Sequence, residues 1–105
     1  MIGFEITHNG KTKLLVGDEG LMSLNAVIAA YGKLGRKSSS DAEPFGNLGV
    51  FGISEGSEAK PQQMLTWEDD FPLAVGDALT IRFVEIVGAS PPRKTEDVAD
   101  EHPEA

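Results

Sequence analysis

The sequence contains no cysteine, so disulfide bonds cannot contribute to its stability. A chain of 105 residues without them must rely on one hydrophobic core, because two independent cores need a longer chain. The missing thiols also exclude cysteine-type zinc sites, iron–sulfur clusters and thiol nucleophiles. The sequence therefore predicts a single small domain with no thiol chemistry.

Seventeen acidic side chains against nine basic ones give the chain a formal net charge of −8. A surface of this sign repels phosphate backbones and anionic lipids, so we expect neither direct nucleic-acid binding nor membrane binding. No apolar run approaches the roughly 20 residues of a membrane helix. The first residues also lack the basic and apolar regions of a secretory signal. We therefore expect a cytoplasmic protein.

The composition changes at residues 88–92, where small residues are followed by two prolines. Beyond them, residues 93–105 carry five acids and one large aliphatic side chain, Val98. A segment of this composition cannot bury a core of its own. We predict one domain over residues 1–88 and a disordered acidic tail over residues 89–105.

The first residues predict a β-hairpin. Ile2, Phe4 and Ile6 alternate with polar or small residues, as in a half-buried strand. Asn9-Gly10 follows, and this dipeptide favours the positive φ angles of a type I′ turn. Residues 12–16 should then fold back antiparallel to the first strand.

The next segment predicts a helix. Leu21, Leu24, Ile28 and Tyr31 recur at spacings of three, four and three, which is typical of one apolar helix face. Gly35 would end the helix. Three cations lie near its negative end, where they are favoured: Lys33, Arg36 and Lys37.

Three later segments predict strands, namely residues 48–54, 64–67 and 78–87. The last has an apolar second half on both faces and should lie inside a sheet. Arg82 within it should pair with an acid across the strands. The element order indicates an α+β fold, a mixed sheet of four to five strands crossed by one helix.

The Asn9-Gly10 hairpin, the single helix and the Val75-Gly76-Asp77 turn before an apolar strand resemble the element order of β-grasp, ubiquitin-like proteins, among them small sulfur carriers. The resemblance implies a β-grasp-like fold over residues 1–88. Sulfur carriers act through a C-terminal Gly-Gly, and this sequence has no adjacent glycines, so their chemistry is not carried over. The opening Asn9-Gly10 hairpin together with Trp67, residues 73–77 and residues 80–85 also resembles small uncharacterised bacterial proteins, which implies a shared fold and no site residues.

The densest acidic cluster of the predicted domain is Glu68-Asp69-Asp70, with Asp77 on the next turn. Adjacent carboxylates do not have the alternating spacing of a calcium loop. A solvated turn is the favoured interpretation, and an acidic patch that faces a partner is the alternative. Trp67 beside it is either a core residue or an interface anchor.

Other candidates for chemistry are isolated. His8 lies in the hairpin turn with no second imidazole in the predicted domain, so a surface role is favoured over a metal site or a proton relay. The serines at 38–40 lack the strand-to-helix elbow that exposes a nucleophile. The glycines at 46, 49 and 52 are not followed by the lysine of a phosphate-binding loop.

With no acid, base and nucleophile brought together, we expect a non-enzymatic protein without cofactor or metal. The leading hypothesis is an acidic immunity or inhibitor protein that occludes a basic partner such as a toxin or nuclease. Its predicted contacts are Trp67, Glu68, Asp69 and Asp70. The alternative is a structural or assembly module that pairs an edge strand, residues 1–7 or 64–67, with a peptide or a second copy.

Overall fold

The computed structural model describes residues 1–32, 34–35 and 43–98. Over these ranges the chain forms two antiparallel sheets. In chain order the strands are β1 (Ile2–His8), β2 (Lys11–Val16), β3 (Leu21–Tyr31), β4 (Phe45–Ser54), β5 (Gln63–Ala74), β6 (Leu79–Glu85) and β7 (Lys94–Asp97). The first sheet has the order β2-β1-β6 and the second β3-β4-β5-β7. Across these ranges there is no helix of the length and apolarity that crossing a membrane requires.

The predicted opening hairpin is confirmed, because β1 pairs antiparallel with β2. Asn9 and Gly10 at its turn have φ angles of 51° and 84°. Arg82 pairs with an acid across the strands, as predicted. This acid is Glu5, whose Oε1 lies 2.6 Å from the guanidinium Nη1. The strand that carries Arg82, β6, lies at an edge of the first sheet rather than inside a sheet as predicted.

The predicted α+β fold is wrong, because residues 21–31 form a strand and no helix crosses either sheet in the described ranges. β3 pairs with β4 from Leu21 opposite Ser54 to Tyr31 opposite Phe45. A β-grasp fold requires the crossing helix, so the fold implied by that resemblance is overturned by the same finding. The cations expected at the helix end, Lys33, Arg36 and Lys37, lie outside the described residues.

The helix-like spacing has a physical cause, which is that both faces of β3 carry apolar side chains. Leu24 and Ala26 pack against the core, whereas Val27 and Tyr31 lie on the other face because side chains alternate along a strand. When both faces are apolar the period of two disappears, and spacings of three and four can be read from the same residues. Pairing with β4 decides between helix and strand.

The core lies between the two sheets. Its buried side chains come from both layers: Ile6, Val16, Leu48, Val50, Leu65 and Trp67. The molecule measures 19 Å along its shortest axis, which fits two sheets packed face to face about 10 Å apart. The fold is therefore a two-layer β-sandwich.

Residues 86–93, which we call the strap, connect β6 of the first sheet to β7 of the second. Ser90 at its centre bonds the outer edge of β2: its N–H donates to Leu15 O at 2.7 Å, and its Oγ accepts from Leu15 N–H at 3.2 Å. Its carbonyl oxygen also accepts the indole N–H of Trp67 at 2.7 Å. The strap therefore closes one side of the sandwich.

The strap and β7 place residues 89–98 within the fold, although their composition had assigned them to a disordered tail. β7 pairs with β5 from Thr66 opposite Lys94 to Gln63 opposite Asp97. These contacts are mostly backbone hydrogen bonds, which cannot be predicted from the hydrophobicity of the side chains. The rest of the predicted tail, residues 99–105, lies outside the described residues.

The close approach of β1 and β2 yields a stability prediction at Gly3. A Cβ at this position would overlap the carbonyl oxygen of Val16 and touch Ile86, so we expect Gly3→Ala to lower the free energy of unfolding by about 1–3 kcal/mol. Gly88→Ala is the matched control, because nothing lies within 4 Å of the Cβ it would add. Urea unfolding measures both. Equal stability of the two variants would contradict the predicted overlap.

Candidate functional site

Trp67 and Glu68 are neighbours on β5, yet both are buried, with 1% and 7% of their surface exposed. Regular alternation would send them to opposite faces. The register of β5 against β4 shifts here: Glu68 lies opposite Val50 and Thr66 opposite Phe51, which leaves Trp67 as the extra residue of a bulge. Bulges re-aim side chains in this way. Trp67 is thus a core residue and offers a partner no exposed ring.

The carboxylate of Glu68 is neutralised within the molecule. Its Oε2 lies 3.1 Å from the Nζ of Lys13, and its Oε1 lies 3.1 Å from the Nη1 of Arg93 in the strap. Lys13 is itself the extra residue of a bulge in β2, and its ammonium lies 4.3 Å from the centre of the Phe71 ring. Two bulges on facing sheets thereby build a buried ion pair instead of an acidic surface.

The other two residues of the predicted acidic patch, Asp69 and Asp70, are exposed. Asp69 lies 3.8 Å from the Nζ of Lys94, and Asp70 accepts a hydrogen bond from the side-chain amide of Asn47 at 2.8 Å. The structure therefore divides the four predicted contacts into a buried half and an exposed half. In the described part of the chain, no three histidine or carboxylate side chains are grouped so as to hold a metal ion.

A polar cluster that sequence reasoning missed joins the turn after β1 to the turn before β6. The carboxylate of Asp77 lies 3.1 Å from His8 Nε2 and accepts the side-chain amide of Asn9 at 3.2 Å. The backbone N–H of Ala74, the imidazole of His8 and the amide of Asn9 lower the pKa of Asp77 from 3.8 to about 2. The sequence indicates this cluster only through the Asn-Gly pair of the first turn and the Gly-Asp pair of the second.

An open cleft of about 450 Å³ lies beside His8 and is lined by Asn9, Lys11, Thr12, Lys13 and Phe71. A carboxylate that bonds an imidazole, as Asp77 bonds His8, also occurs in catalytic sites, where the carboxylate orients the imidazole base. Their hydrogen bonds, however, hold two turns together, and the ammonium of Lys13 is already engaged by Glu68 and Phe71. The arrangement is best explained as a clamp between β1 and β6.

The most distinctive surface is the free edge of β3, by which we mean the side of this strand that faces away from β4. β3 is the first strand of its sheet and has no neighbour on this side among the described strands. Its eleven residues include no charge and no proline. Natural proteins usually protect edge strands with such residues, because unpaired peptide groups attract further strands.

The orientation of these peptide groups follows from two close contacts. The carbonyl oxygens of Ser23 and Ala29 point toward Gly52 and Gly46 of β4. Since peptide groups alternate in direction along an antiparallel strand, those of the even-numbered residues point outward. The free edge therefore presents the backbone donors and acceptors of Leu24, Ala26, Ile28 and Ala30.

Apolar side chains are exposed on both faces of the free edge. Val27 is 50% exposed and Ile28 is 56% exposed. The ring of Tyr31 is stacked on that of Phe45 at a centroid distance of 5.3 Å, and both remain largely accessible. Exposed apolar residues gathered on one element are typical of an interaction surface.

The side of the sandwich opposite the strap is open among the residues that the structure describes, and we call the gap between β3 and β6 the open side. A groove of about 420 Å³ here is lined by Phe4 and Phe83 of the first sheet and by Leu24 of the second, among others. Phe83 is 78% exposed and meets Phe4 edge to face at 6.4 Å. The free edge and the open side are thus adjacent, and the groove between them is lined by the carboxylates of Asp18 and Glu19 as well as by these apolar side chains.

No protein-family model, curated protein or solved structure matches the chain. The features of the molecule that bear on its function are therefore the geometry of this surface and the net charge of −8.

The buried ion pair of Glu68 predicts a stability difference between adjacent acids. Glu68→Gln would leave Lys13 and Arg93 without their counter-charge, so we expect the free energy of unfolding to fall by about 2–3 kcal/mol, less than for fully buried partners because both cations are partly exposed. Asp69→Asn, on the exposed neighbour, should change it by at most about 0.5 kcal/mol. Urea unfolding measures the stability of both variants. An equal loss of unfolding free energy in the two would contradict the internal role of Glu68.

The clamp at Asp77 predicts a pH dependence. Because the pKa of Asp77 is lower in the folded protein, its ionised form stabilises the fold above pH 3.8, and this contribution is lost as the pH falls toward 2. The stability difference between the wild type and Asp77→Asn should therefore be constant at neutral pH and shrink across that window. Comparing the two chains at each pH cancels the titration of the remaining carboxyls. A difference unchanged down to pH 2 would contradict the clamp.

Proposed function

We propose that this chain is a non-enzymatic binding module that takes a further β-strand along the free edge of β3. The observation that carries the proposal is an eleven-residue edge strand with no charge and no proline. A strand added there would bond the outward peptide groups of the even-numbered residues and cover Val27 and Ile28. This mode of recognition is β-strand addition.

The other described edges are protected, which makes the free edge of β3 the favoured docking surface. The outer edge of β2 is bonded by Ser90 of the strap. β6 carries the ion-paired Arg82 together with Glu85. β7 is four residues long, and three of its residues are charged.

The edges suggested by the sequence, residues 1–7 and 64–67, are not available for this role. The first range falls largely in β1, which lies between β2 and β6. The second lies in β5, between β4 and β7. The strand that fits the assembly hypothesis is instead β3, in the segment whose apolar spacing predicts a helix.

An inhibitor of a basic partner is the second candidate function, and it is supported by the net charge of −8 and by the exposed Asp69 and Asp70. The buried Trp67 and Glu68 give this hypothesis no anchor in the described structure. The salt dependence separates the two candidates, because a complex held by opposite charges weakens as salt is added. Cytoplasmic residence is part of both proposals.

Photo-crosslinking in cells that produce the protein tests the proposed function. A photoreactive residue in place of Val27 should give a discrete adduct, whereas one in place of Val75, an exposed residue on a turn, should give none. Ala26→Pro removes an outward N–H without removing a bond to β4, since proline is tolerated on the open side of an edge strand. We expect it to reduce the Val27 adduct at least tenfold.

Ala26→Ser keeps the N–H and serves as the matched control for Ala26→Pro. Circular dichroism verifies that each variant folds. If Ala26→Pro does not fold, Ile28→Lys replaces it, because a charge on an edge strand also blocks the addition of another strand. No adduct at Val27, or an adduct that survives both Ala26→Pro and Ile28→Lys, would overturn the proposed function.

A further inference from the structure

We infer that the strand which docks on the free edge is β3 of a second copy of this chain. The inference rests on the proposed function and names its partner. The two copies are related by a twofold axis and pair antiparallel, so their second sheets join into one sheet of eight strands. The axis passes at Ala26, which then lies opposite Ala26 of the partner subunit.

Charge is the first argument for a second copy. Two chains that each carry −8 repel one another, so a contact between them must lie where charge is absent. β3 is uncharged from Leu21 to Tyr31, and it offers no carboxylate to a cationic peptide along its length. The free edge therefore suits a partner with the same neutral edge.

The inner face of the sandwich supplies the second argument. With the axis at Ala26, Leu24 lies opposite Ile28 of the partner subunit, and both side chains point to the inner face. Phe83 lines the same groove as Leu24. Ile28 of the partner subunit, placed opposite Leu24, therefore lies close to the Phe83 ring. Two exposed apolar side chains that the single chain leaves uncovered, Ile28 at 56% and Phe83 at 78%, thereby cover each other across the seam.

The closed side of the sandwich makes the open side available for this contact. The strap and Ser90 occupy the side between β2 and β7, so a second copy cannot pair there. β3 and β6 border the opposite side, where the groove is lined by both sheets. A twofold contact uses the same patch on both subunits, and this patch contains both members of the Ile28–Phe83 contact.

Sedimentation of the full chain tests the inference. We expect a species of twice the 11.2 kDa chain mass whose dissociation constant falls as salt is raised, because screening weakens the repulsion between like-charged subunits. Ala26→Pro should raise the dissociation constant at least tenfold and Ala26→Ser should not. Phe83→Ser should raise it severalfold, whereas Val75→Ser, which also removes an exposed apolar side chain, should leave it unchanged.

The register is tested by a single cysteine, which is unique in this cysteine-free chain. Residues opposite each other in a hydrogen-bonded antiparallel pair have Cα atoms about 5.5 Å apart, within the range of a disulfide. Ala26→Cys should therefore form a disulfide-linked dimer on oxidation, and Asn25→Cys, which lies opposite Val27 of the partner subunit, should not. A dimer that links through Asn25→Cys instead would overturn the register.

The outcomes separate the inference from the proposed function. Suppose that the chain is a monomer at every concentration and that the Val27 adduct does not have twice the chain mass. A second copy is then ruled out as the partner, and strand addition remains supported. A monomer with no adduct overturns both. A dimer insensitive to Ala26→Pro and Ile28→Lys, or one that dissociates as salt is raised, assigns the contact to another surface and overturns the inference.

Discussion

The structure depends on the indole of Trp67, which is buried between the two sheets while its N–H bonds the carbonyl oxygen of Ser90. This one side chain fills the core and holds the strap in place. Ser90 in turn covers the outer edge of β2. Trp67 and Leu15 together hold the strap on this side of the sandwich, and among the described residues the side of β3 and β6 is left open.

Two bulges determine how the charge of the molecule is used. A chain with a net charge of −8 invites an explanation of its function through exposed acids. The bulge at Trp67 removes Glu68 from the surface, and the bulge at Lys13 provides its counter-charge. A buried pair of this kind is costly to break rather than strongly stabilising. The pair links the two facing sheets, and the apolar free edge is left as the more specific surface.

Part of the fold could be predicted from local sequence. The Asn9-Gly10 hairpin and the pairing of Arg82 with an acid depend on neighbouring residues and on strand alternation, and both were correct. The position of β3 could not be predicted in the same way. Its apolar residues fit a helix of period 3.6 and a strand with two apolar faces equally well, and only the pairing with β4 selects the strand.

Residue composition and order are enough to specify one core without thiol chemistry, the turn chemistry of the first hairpin and the net charge. Those properties are local or additive, so the order of residues along the chain suffices. Strand pairing, by contrast, buries Trp67 and Glu68, places residues 89–98 in the sandwich and leaves β3 at an edge with no described neighbour. Each of these depends on which strands become neighbours, and that depends on contacts between residues far apart in sequence.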